Sequence, residues 1–428
     1  MKLLDTDFYQ LSIVLAYIIS GKADEQAGFE CFYRHPKKEL ENRCYFKGEN
    51  EVHTFMENVQ KELKEKTFVK EFIRLISPKI RVEKRKEYTE KVEKFFKQEF
   101  DFEYSVYKDD CVVPPLTPVF QFKGARWIGT LLETPLTNIV NGRTGLNTQR
   151  HLGKMSEYQR VVVEGDRKSP FWNDYLNKVK DRAIAYRLST TKPIMDASYR
   201  RAGGLKISVK VAEIAMELGF NGTSNVAARI RSPFIKDEMI GGTMAHSFVM
   251  SYKTELEAFK VWNEVFPHTS FLVDTYDTVK AVKKLVREDL KPENVRIDSG
   301  DFYTICQEVR NIFDEAGWYD VGIYISGDLT PELLTDLENK RVPFDKCMVG
   351  TKLANLGEIV AINPGFVYKL VEYTSNGERV FPVKKACGKG NYPGLKRVVC
   401  SDKVLLKDGF GFEGLDLIKE DMEVVYDF

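Results

Sequence analysis

The chain has 428 residues, 43% hydrophobic and 30% charged, with 64 basic residues against 63 acidic ones. At ~150 residues per domain this length allows two or three domains, and burying about three quarters of the open chain's surface removes any need for a disulfide or metal staple. The net charge of +1 excludes a general nucleic-acid coat or a membrane-surface protein, both of which need a large basic excess; 28 Phe and 20 Tyr exclude disorder as the main state.

The first segment, Met1-Lys2-Leu3-Leu4-Asp5-Thr6-Asp7, carries acids at once and reads as no signal peptide. A helix is expected over Asp7 to Ile19; its apolar run from Leu11 is about half of what a membrane span needs. A short apolar strand follows around Phe29 to Tyr33. Lys61 to Phe100 is about half charged, with Lys and Glu interleaved around Phe68, Phe72, Ile73, Leu75 and Ile76, the pattern of helices with a solvated face. Pro114-Pro115 and Pro118 punctuate the chain. Phe120 to Thr134 reads as strand passing into helix, and Asn138 to Lys154 as a polar turn and more helix. The seven cysteines (Cys31, Cys44, Cys111, Cys306, Cys347, Cys387, Cys400) are widely spaced with no Cys-x-x-Cys pair, which suggests reduced thiols in the cytoplasm.

From about residue 190 apolar strand-like runs end in polar or glycine turns and pass into helices. The turns fall near Asp196, Gly222, Thr243, Asp274, Asp298, Ser326 and Gly350. A repeat of about 25 residues per unit suits a parallel β/α barrel, whose active site lies at the carboxyl ends of the strands. Phe271-Leu272-Val273 and Val321-Gly322-Ile323-Tyr324-Ile325 are apolar throughout, as strands buried on both faces should be. After residue 363 the pattern lapses: Val367 to Val371 and Val380 to Val383 resemble antiparallel strands across Ser375-Asn376-Gly377. The expected class is α/β: an irregular barrel over 184–362, with a second α+β domain from 1–183 plus 363–428.

The turns carry the chemistry. Tyr199-Arg200-Arg201 places two guanidinium groups at a strand end, suited to a diphosphate through paired charge-assisted hydrogen bonds. Gly241-Gly242-Thr243-Met244-Ala245-His246-Ser247 is a glycine turn leading to a histidine, in a chain with only five. Asp274-Thr275-Tyr276-Asp277 and Arg296-Ile297-Asp298-Ser299-Gly300-Asp301 are acidic strand ends able to meet a magnesium diphosphate, ribose hydroxyls or a histidine ring. Asp277 and Asp301 also read as helix N-caps. Ser326-Gly327-Asp328 and Val349-Gly350-Thr351 match the phosphate site of the last barrel strands.

These turns, taken with Thr6-Asp7-Phe8-Tyr9-Gln10, Gly222-Thr223-Ser224-Asn225, Tyr368 to Glu372, Lys389 and Pro393-Gly394-Leu395-Lys396, resemble the nicotinate phosphoribosyltransferase family over nearly the whole chain. The resemblance implies transfer of the phosphoribosyl group of 5-phosphoribosyl 1-diphosphate to nicotinate, giving nicotinate mononucleotide and diphosphate with coupled ATP hydrolysis. It implies Mg2+, ATP as co-substrate and a homodimer, with no nucleic acid and no membrane. His246 would be phosphorylated, with Asp274 as the acidic partner of its ring. Arg296 would stack on the pyridine, Thr243 would touch nicotinate, and Tyr9 would reach in, from the same or the other subunit. Arg200 would hold diphosphate; Asp298 and Asp328 the ribose or magnesium; Gly327, Gly350 and Thr351 the 5-phosphate. Magnesium would sit near Asp298 and Asp301, without a protein cage.

Nicotinamide-using relatives resemble this pattern with Asp at the position of Ser224, so Ser224 favours nicotinate. The family usually has a large apolar residue and then Gly where this chain has Ala197-Ser198, which leaves one wall of the base pocket shallower. Cys387 stands where the family more often has Ser. The other readings are a nicotinamide or other pyridine phosphoribosyltransferase, and a non-catalytic phosphoribosyl-binding regulator on the same fold.

Overall fold

The computed structural model describes every residue except 36, 268, 383–392, 401–402, 420–421, 423 and 428. The chain opens with α1 (Phe8–Ile19), β1 (Gln26–Phe32), α2 (Glu49–Glu65), α3 (Val69–Ile76) and α4 (Arg85–Phe95). Next come β2 (Phe102–Val106), β3 (Phe120–Ala125), α5 (Arg126–His151), α6 (Glu157–Glu164) and α7 (Pro170–Ser189). Strands and helices then alternate: β4 (Ile194–Asp196), α8 (Leu205–Glu217), β5 (Gly222–Thr223), α9 (Val226–Arg231), α10 (His246–Val249), α11 (Glu255–Val265), β6 (Ser270–Leu272) and α12 (Thr278–Arg287). The alternation ends with β7 (Asn294–Ile297), α13 (Phe302–Glu315), β8 (Gly322–Ser326), α14 (Pro331–Asn339), β9 (Lys346–Val349) and α15 (Thr351–Ala354). Six strands follow: β10 (Val367–Ser375), β11 (Glu378–Val380), β12 (Lys396–Cys400), β13 (Val404–Asp408), β14 (Phe412–Glu413) and β15 (Val424–Asp427).

Strands β4 to β9 form one parallel sheet in the order β5-β4-β9-β8-β7-β6. Its apolar strands are covered by helices, and all four residues of β7 are buried. The sheet curls into a half-barrel, and β5 and β6 are not paired with each other. Of the seven turns expected to follow strands, the one at Thr243 follows only a one-residue bridge between Thr223 and Ile240. There the chain runs through Pro233, a short turn at Asp237–Met239 and Gly241-Gly242, with no apolar run able to pair as a strand.

The two ends of the chain meet in an antiparallel sheet of order β11-β10-β1-β3-β2. The turn joining β10 to β11 has positive φ at both Asn376 (52°) and Gly377 (81°), the hairpin geometry that Asn-Gly favours. The hairpin is shifted from the expected Val380 to Val383: its second strand is Glu378–Val380, because the tight turn fixes the register Ser375↔Glu378. Val383, Cys387 and Lys389 lie outside the described residues. A smaller sheet of order β14-β12-β13-β15 packs on this one through a buried ion pair. Lys396 Nζ lies 2.5 Å from Glu30 Oε2, and Gln121 donates to Glu30 Oε1 at 2.9 Å and to the Lys396 carbonyl at 2.6 Å.

Helix α5 is buried along nearly its whole length. The expected polar turn after Asn138 is absent, and the helix runs unbroken to His151. Its polar residues reach sideways to other backbones. Asn138 donates to the carbonyls of Tyr199 and Ala202, Asn141 to that of Phe366, and Asn147 to those of Tyr45 and Phe46. Such groups resemble turn residues in a sequence, but here they satisfy carbonyls that the helix itself shields from water. Pro135 leaves the Leu131 carbonyl without its helical donor, and Thr6 Oγ1 donates to it at 3.1 Å. Glycines allow the close packing: a Cβ on Gly145 would run into the Ile362 carbonyl, and one on Gly142 would lie 2.7 Å from the Gly203 oxygen. Gly145→Ala is therefore expected to lower unfolding free energy by about 1–3 kcal/mol or more through overpacking, measured by denaturant titration.

Candidate active site

The carboxyl ends of the parallel strands face a cavity of about 320 Å³. Tyr9, Arg200, Ser224, Thr243, His246, Arg296, Asp298, Gly327, Asp328, Gly350 and Thr351 all line it. The turns approach one another closely. A Cβ on Gly242 would sit 2.6 Å from the Tyr9 nitrogen, one on Gly350 would sit 2.7 Å from the Ala197 oxygen, and one on Gly327 (φ +99°) would strike the Asp298 carbonyl. Tyr9 lines the cavity of its own chain.

Arg296 is 7% exposed and held from three sides. Its Nη1 donates to Asp298 Oδ1 and to Ser326 Oγ, both at 3.0 Å, and Nη2 donates to the Met244 carbonyl at 3.1 Å. Burial alone would raise the Asp298 pKa. The neighbouring His246 ring, the Arg296 charge and the Ser326 hydroxyl outweigh it and hold the carboxyl well below the usual range. His246 begins α10. Its Nδ1 lies 3.1 Å from Thr275 Oγ1, while its Nε2 lies 4.0 Å from Asp274 Oδ1 and 3.9 Å from Asp298 Oδ2. Two carboxylates thus flank one ring nitrogen, so Asp274 shares with Asp298 the place expected for it alone. Asp274 stands behind the cavity wall, fixed by the Ser299 hydroxyl at 2.6 Å.

Arg200 faces the cavity with 40% of its side chain exposed, and its Nη1 donates to Glu133 Oε1 at 2.9 Å. Burial opposes its charge, but Tyr9, Glu133, Asp7 and Asp298 together raise its pKa above the ordinary arginine value. Arg201 donates to the Phe366 carbonyl at 3.1 Å. Asp7, Glu133, Arg34, Arg201, Tyr368 and Lys369 also line the cavity. Arg201 was read with Arg200 as an anion-binding pair, and Asp7 lay inside the first motif without a role of its own. For Glu133 the available signal is a single acid beside Pro135 in an otherwise apolar and polar-neutral helix stretch. Arg34, Tyr368 and Lys369 reach the cavity from the antiparallel sheet region; Tyr368 and Lys369 lay in a recognised segment without an assigned role, and no local pattern announces Arg34.

Asp301 is absent from the lining. Its exposed carboxylate caps α13, accepting from the Tyr303 N–H at 3.2 Å and the Thr304 hydroxyl at 2.6 Å. Among the described residues no three His, Cys, Asp or Glu side chains converge on a metal position. A Mg2+ ion arriving with an anion would meet Asp298 and Asp328 on the cavity wall; of the other two wall carboxylates, Asp7 is engaged by Ser224 and Thr134 and Glu133 by Arg200.

The family model for the nicotinate phosphoribosyltransferase (NAPRTase) N-terminal domain matches residues 4–141. A Bacillus subtilis nicotinate phosphoribosyltransferase is 27% identical over 407 residues, covering 92% of this chain and 72% of that protein. Over residues 4–141 the chain is similar to the N-terminal domain of nicotinate phosphoribosyltransferases, and over most of its length to the Bacillus subtilis protein. A Mycobacterium tuberculosis member is 35% identical over 213 residues, 48% of this chain, and the match spans less than half (44%) of that relative's length. The solved nicotinate phosphoribosyltransferase structures from Porphyromonas gingivalis (TM-score 0.62, 18% identity, 92% of this chain and 96% of that one) and Vibrio cholerae (0.61, 16%, 91% and 90%) share the fold. Within this fold Asp301 serves α13 rather than the cavity. Asp301→Ala is expected to cost about 1 kcal/mol of stability through the lost cap, read by thermal melting. A melting temperature unchanged by the substitution would overturn the capping role.

Proposed function

We propose that this protein joins nicotinate to 5-phosphoribosyl 1-diphosphate, releasing diphosphate, with ATP hydrolysis coupled through His246. The observation that supports this most directly is the convergence on one cavity of Arg200, Arg296, His246, Asp298 and the Gly327 and Gly350-Thr351 turns. Displacement at the anomeric carbon passes through an oxocarbenium-like state, so the protein's work is alignment and stabilisation of leaving charge. The nicotinate ring nitrogen is the nucleophile and needs no general base.

In this reading Arg200 grips the diphosphate, exchanging part of its pairing with Glu133 for the incoming anion. The Gly350-Thr351 turn and Gly327 let backbone approach the 5-phosphate. Asp298 meets ribose hydroxyls or the metal that accompanies diphosphate. Arg296, fixed by Asp298, Ser326 and Met244, presents its planar guanidinium as a wall for the pyridine ring. Tyr9 and Thr243 complete the base pocket.

For His246 the two flanking carboxylates favour a proton on Nε2. Nδ1 is then the lone-pair nitrogen, accepting from Thr275, and the one to attack the γ-phosphate of ATP. The N–P bond forms as the γ-phosphate to ADP bond breaks, and Asp274 with Asp298 stabilises the resulting positive ring. A homodimer in the cytoplasm is part of this proposal; among the described residues no helix is long and apolar enough to cross a membrane.

Assay of the purified protein with nicotinate and 5-phosphoribosyl 1-diphosphate, with and without ATP, tests the reading; no nicotinate mononucleotide under either condition would defeat it. Arg200→Ala should raise the KM for 5-phosphoribosyl 1-diphosphate by an amount equivalent to about 2–4 kcal/mol, and that for nicotinate far less. Unchanged kinetics would reduce Arg200 to a cavity-wall charge. With γ-labelled ATP, the wild-type protein should acquire an acid-labile, base-stable label that His246→Ala lacks. The variant should keep a slow transfer that ATP no longer stimulates, because the remaining groups still align the reactants.

A further inference from the structure

We infer that Asp7 is a positioning residue which sets the hydrogen-bond direction of Ser224, and so decides whether the pocket offers the substituent on the pyridine ring a donor or an acceptor. The inference rests on the proposed transferase reading and specifies how its base is selected.

Asp7 and Ser224 both line the cavity. The Ser224 hydroxyl meets Asp7 Oδ1 at 2.5 Å, and the Thr134 hydroxyl donates to Asp7 Oδ2 at 2.6 Å. Backbone bonds lock the pair in register: the Phe8 N–H donates to the Ser224 carbonyl at 2.6 Å, and the Val226 N–H to the Thr6 carbonyl at 3.0 Å. Asp7 is 2% exposed and Ser224 3%, so both side chains are almost wholly withdrawn from bulk water.

A serine hydroxyl has one proton and two lone pairs. While Asp7 is ionised, that proton points at Asp7, and Ser224 presents lone pairs to the cavity with a negative charge behind them. This surface accepts a hydrogen bond from a carboxamide NH2 and repels a carboxylate. Once Asp7 takes up a proton from solvent, it donates to Ser224 Oγ. The Ser224 proton is then free to point at a nicotinate carboxylate, and the repelling charge is gone. Serine in place of an acid therefore does not by itself select nicotinate; a carboxyl group stands one hydrogen bond behind it, at the N-cap of α1.

The surroundings favour the neutral form within reach of physiological pH. Burial is the largest influence and lifts the Asp7 pKa to about 6, against the Ser224 and Thr134 hydroxyls and the Arg200 charge, with Asp196 adding to the lift. The groups facing it are Tyr9 on its own helix, Thr134 and Glu133 on α5, Tyr199 and Arg200 after β4, Asp196 on β4 and Ser224 after β5. Being raised, the pKa leaves Asp7 neutral below about pH 6 and ionised above it, so nicotinate binding weakens as pH rises through that value.

The test is the pH dependence of KM for nicotinate and for nicotinamide at saturating 5-phosphoribosyl 1-diphosphate, from about pH 5.5 to 8.5, in the wild-type, Asp7→Asn and Thr134→Val proteins. In the wild type the nicotinate KM should rise at least about tenfold between pH 6 and 8 with little change in kcat, while the nicotinamide KM does not rise. Asp7→Asn, whose amide donates to Ser224 at any pH, should flatten the nicotinate profile. Thr134→Val removes a bond to the charged form and should move the midpoint to higher pH. Calorimetry of nicotinate binding in buffers of different ionisation enthalpy should show uptake of close to one proton in the wild type at about pH 7.5 and none in Asp7→Asn. A flat wild-type profile, or the same slope in Asp7→Asn, overturns the assignment. Absence of turnover with either base counts against the transferase reading instead, and proton uptake on binding then still supports or overturns the role of Asp7.

Discussion

The cavity depends on a missing hydrogen bond inside a buried helix. Pro135 cannot donate to the Leu131 carbonyl, and α5 is too deeply packed for water to take its place. Thr6 takes it instead, and this ties the first residues of the chain to the middle of α5. Asp7 then falls beside Thr134, and Tyr9 falls against Gly242. The same turn of helix carries Glu133, which holds Arg200. One proline thus brings the chain's N-terminal segment, the central helix and the first strand end of the half-barrel to a common point.

The site's charges are arranged before any substrate arrives. Arg296 and Asp298 neutralise each other while keeping one face toward the cavity, and Ser326 bonds to both. Arg200 is paired with Glu133 but remains partly open to the cavity. Pairing of this kind lets several cations be held near one another without solvent, and an incoming anion finds donors already directed. The cost falls on stability, since each carboxylate and guanidinium has given up part of its hydration. Burial is accordingly the first influence on Asp298, Arg200 and Asp7 alike.

The antiparallel sheet contributes to function as well as to packing. β1 comes from the start of the chain and β10 from near its end, and their pairing brings Arg34, Tyr368 and Lys369 to the cavity opposite the parallel strands. The smaller sheet is joined to this one through Lys396 and Glu30, a buried pair whose carboxylate also receives Gln121. Burial pushes the Glu30 pKa up even against Lys396, so the contact is costly to break on either side.

Much of this was legible in the residues alone. Apart from the one at Thr243, the spaced turns from Asp196 to Gly350 mark strands of the parallel sheet, because a strand buried on both faces must be apolar and its end must return to polar residues. The glycines of those turns mark close approach of backbone to backbone or ligand. Asn376-Gly377 marks a hairpin because only such residues accept positive φ twice in succession. These are local rules, and a sequence states them locally. Asn138, Asn141 and Asn147 were misleading for the complementary reason: side chains that satisfy distant carbonyls look the same in sequence as side chains that make a turn. The open edge of the half-barrel, the capping role of Asp301, the sharing of His246 Nε2 between two acids and the bond from Ser224 to Asp7 were decided only by tertiary structure. Each depends on which residue distant in the chain lies within about 3–4 Å, and hydrogen bonds and charges act at that range whatever the separation in sequence.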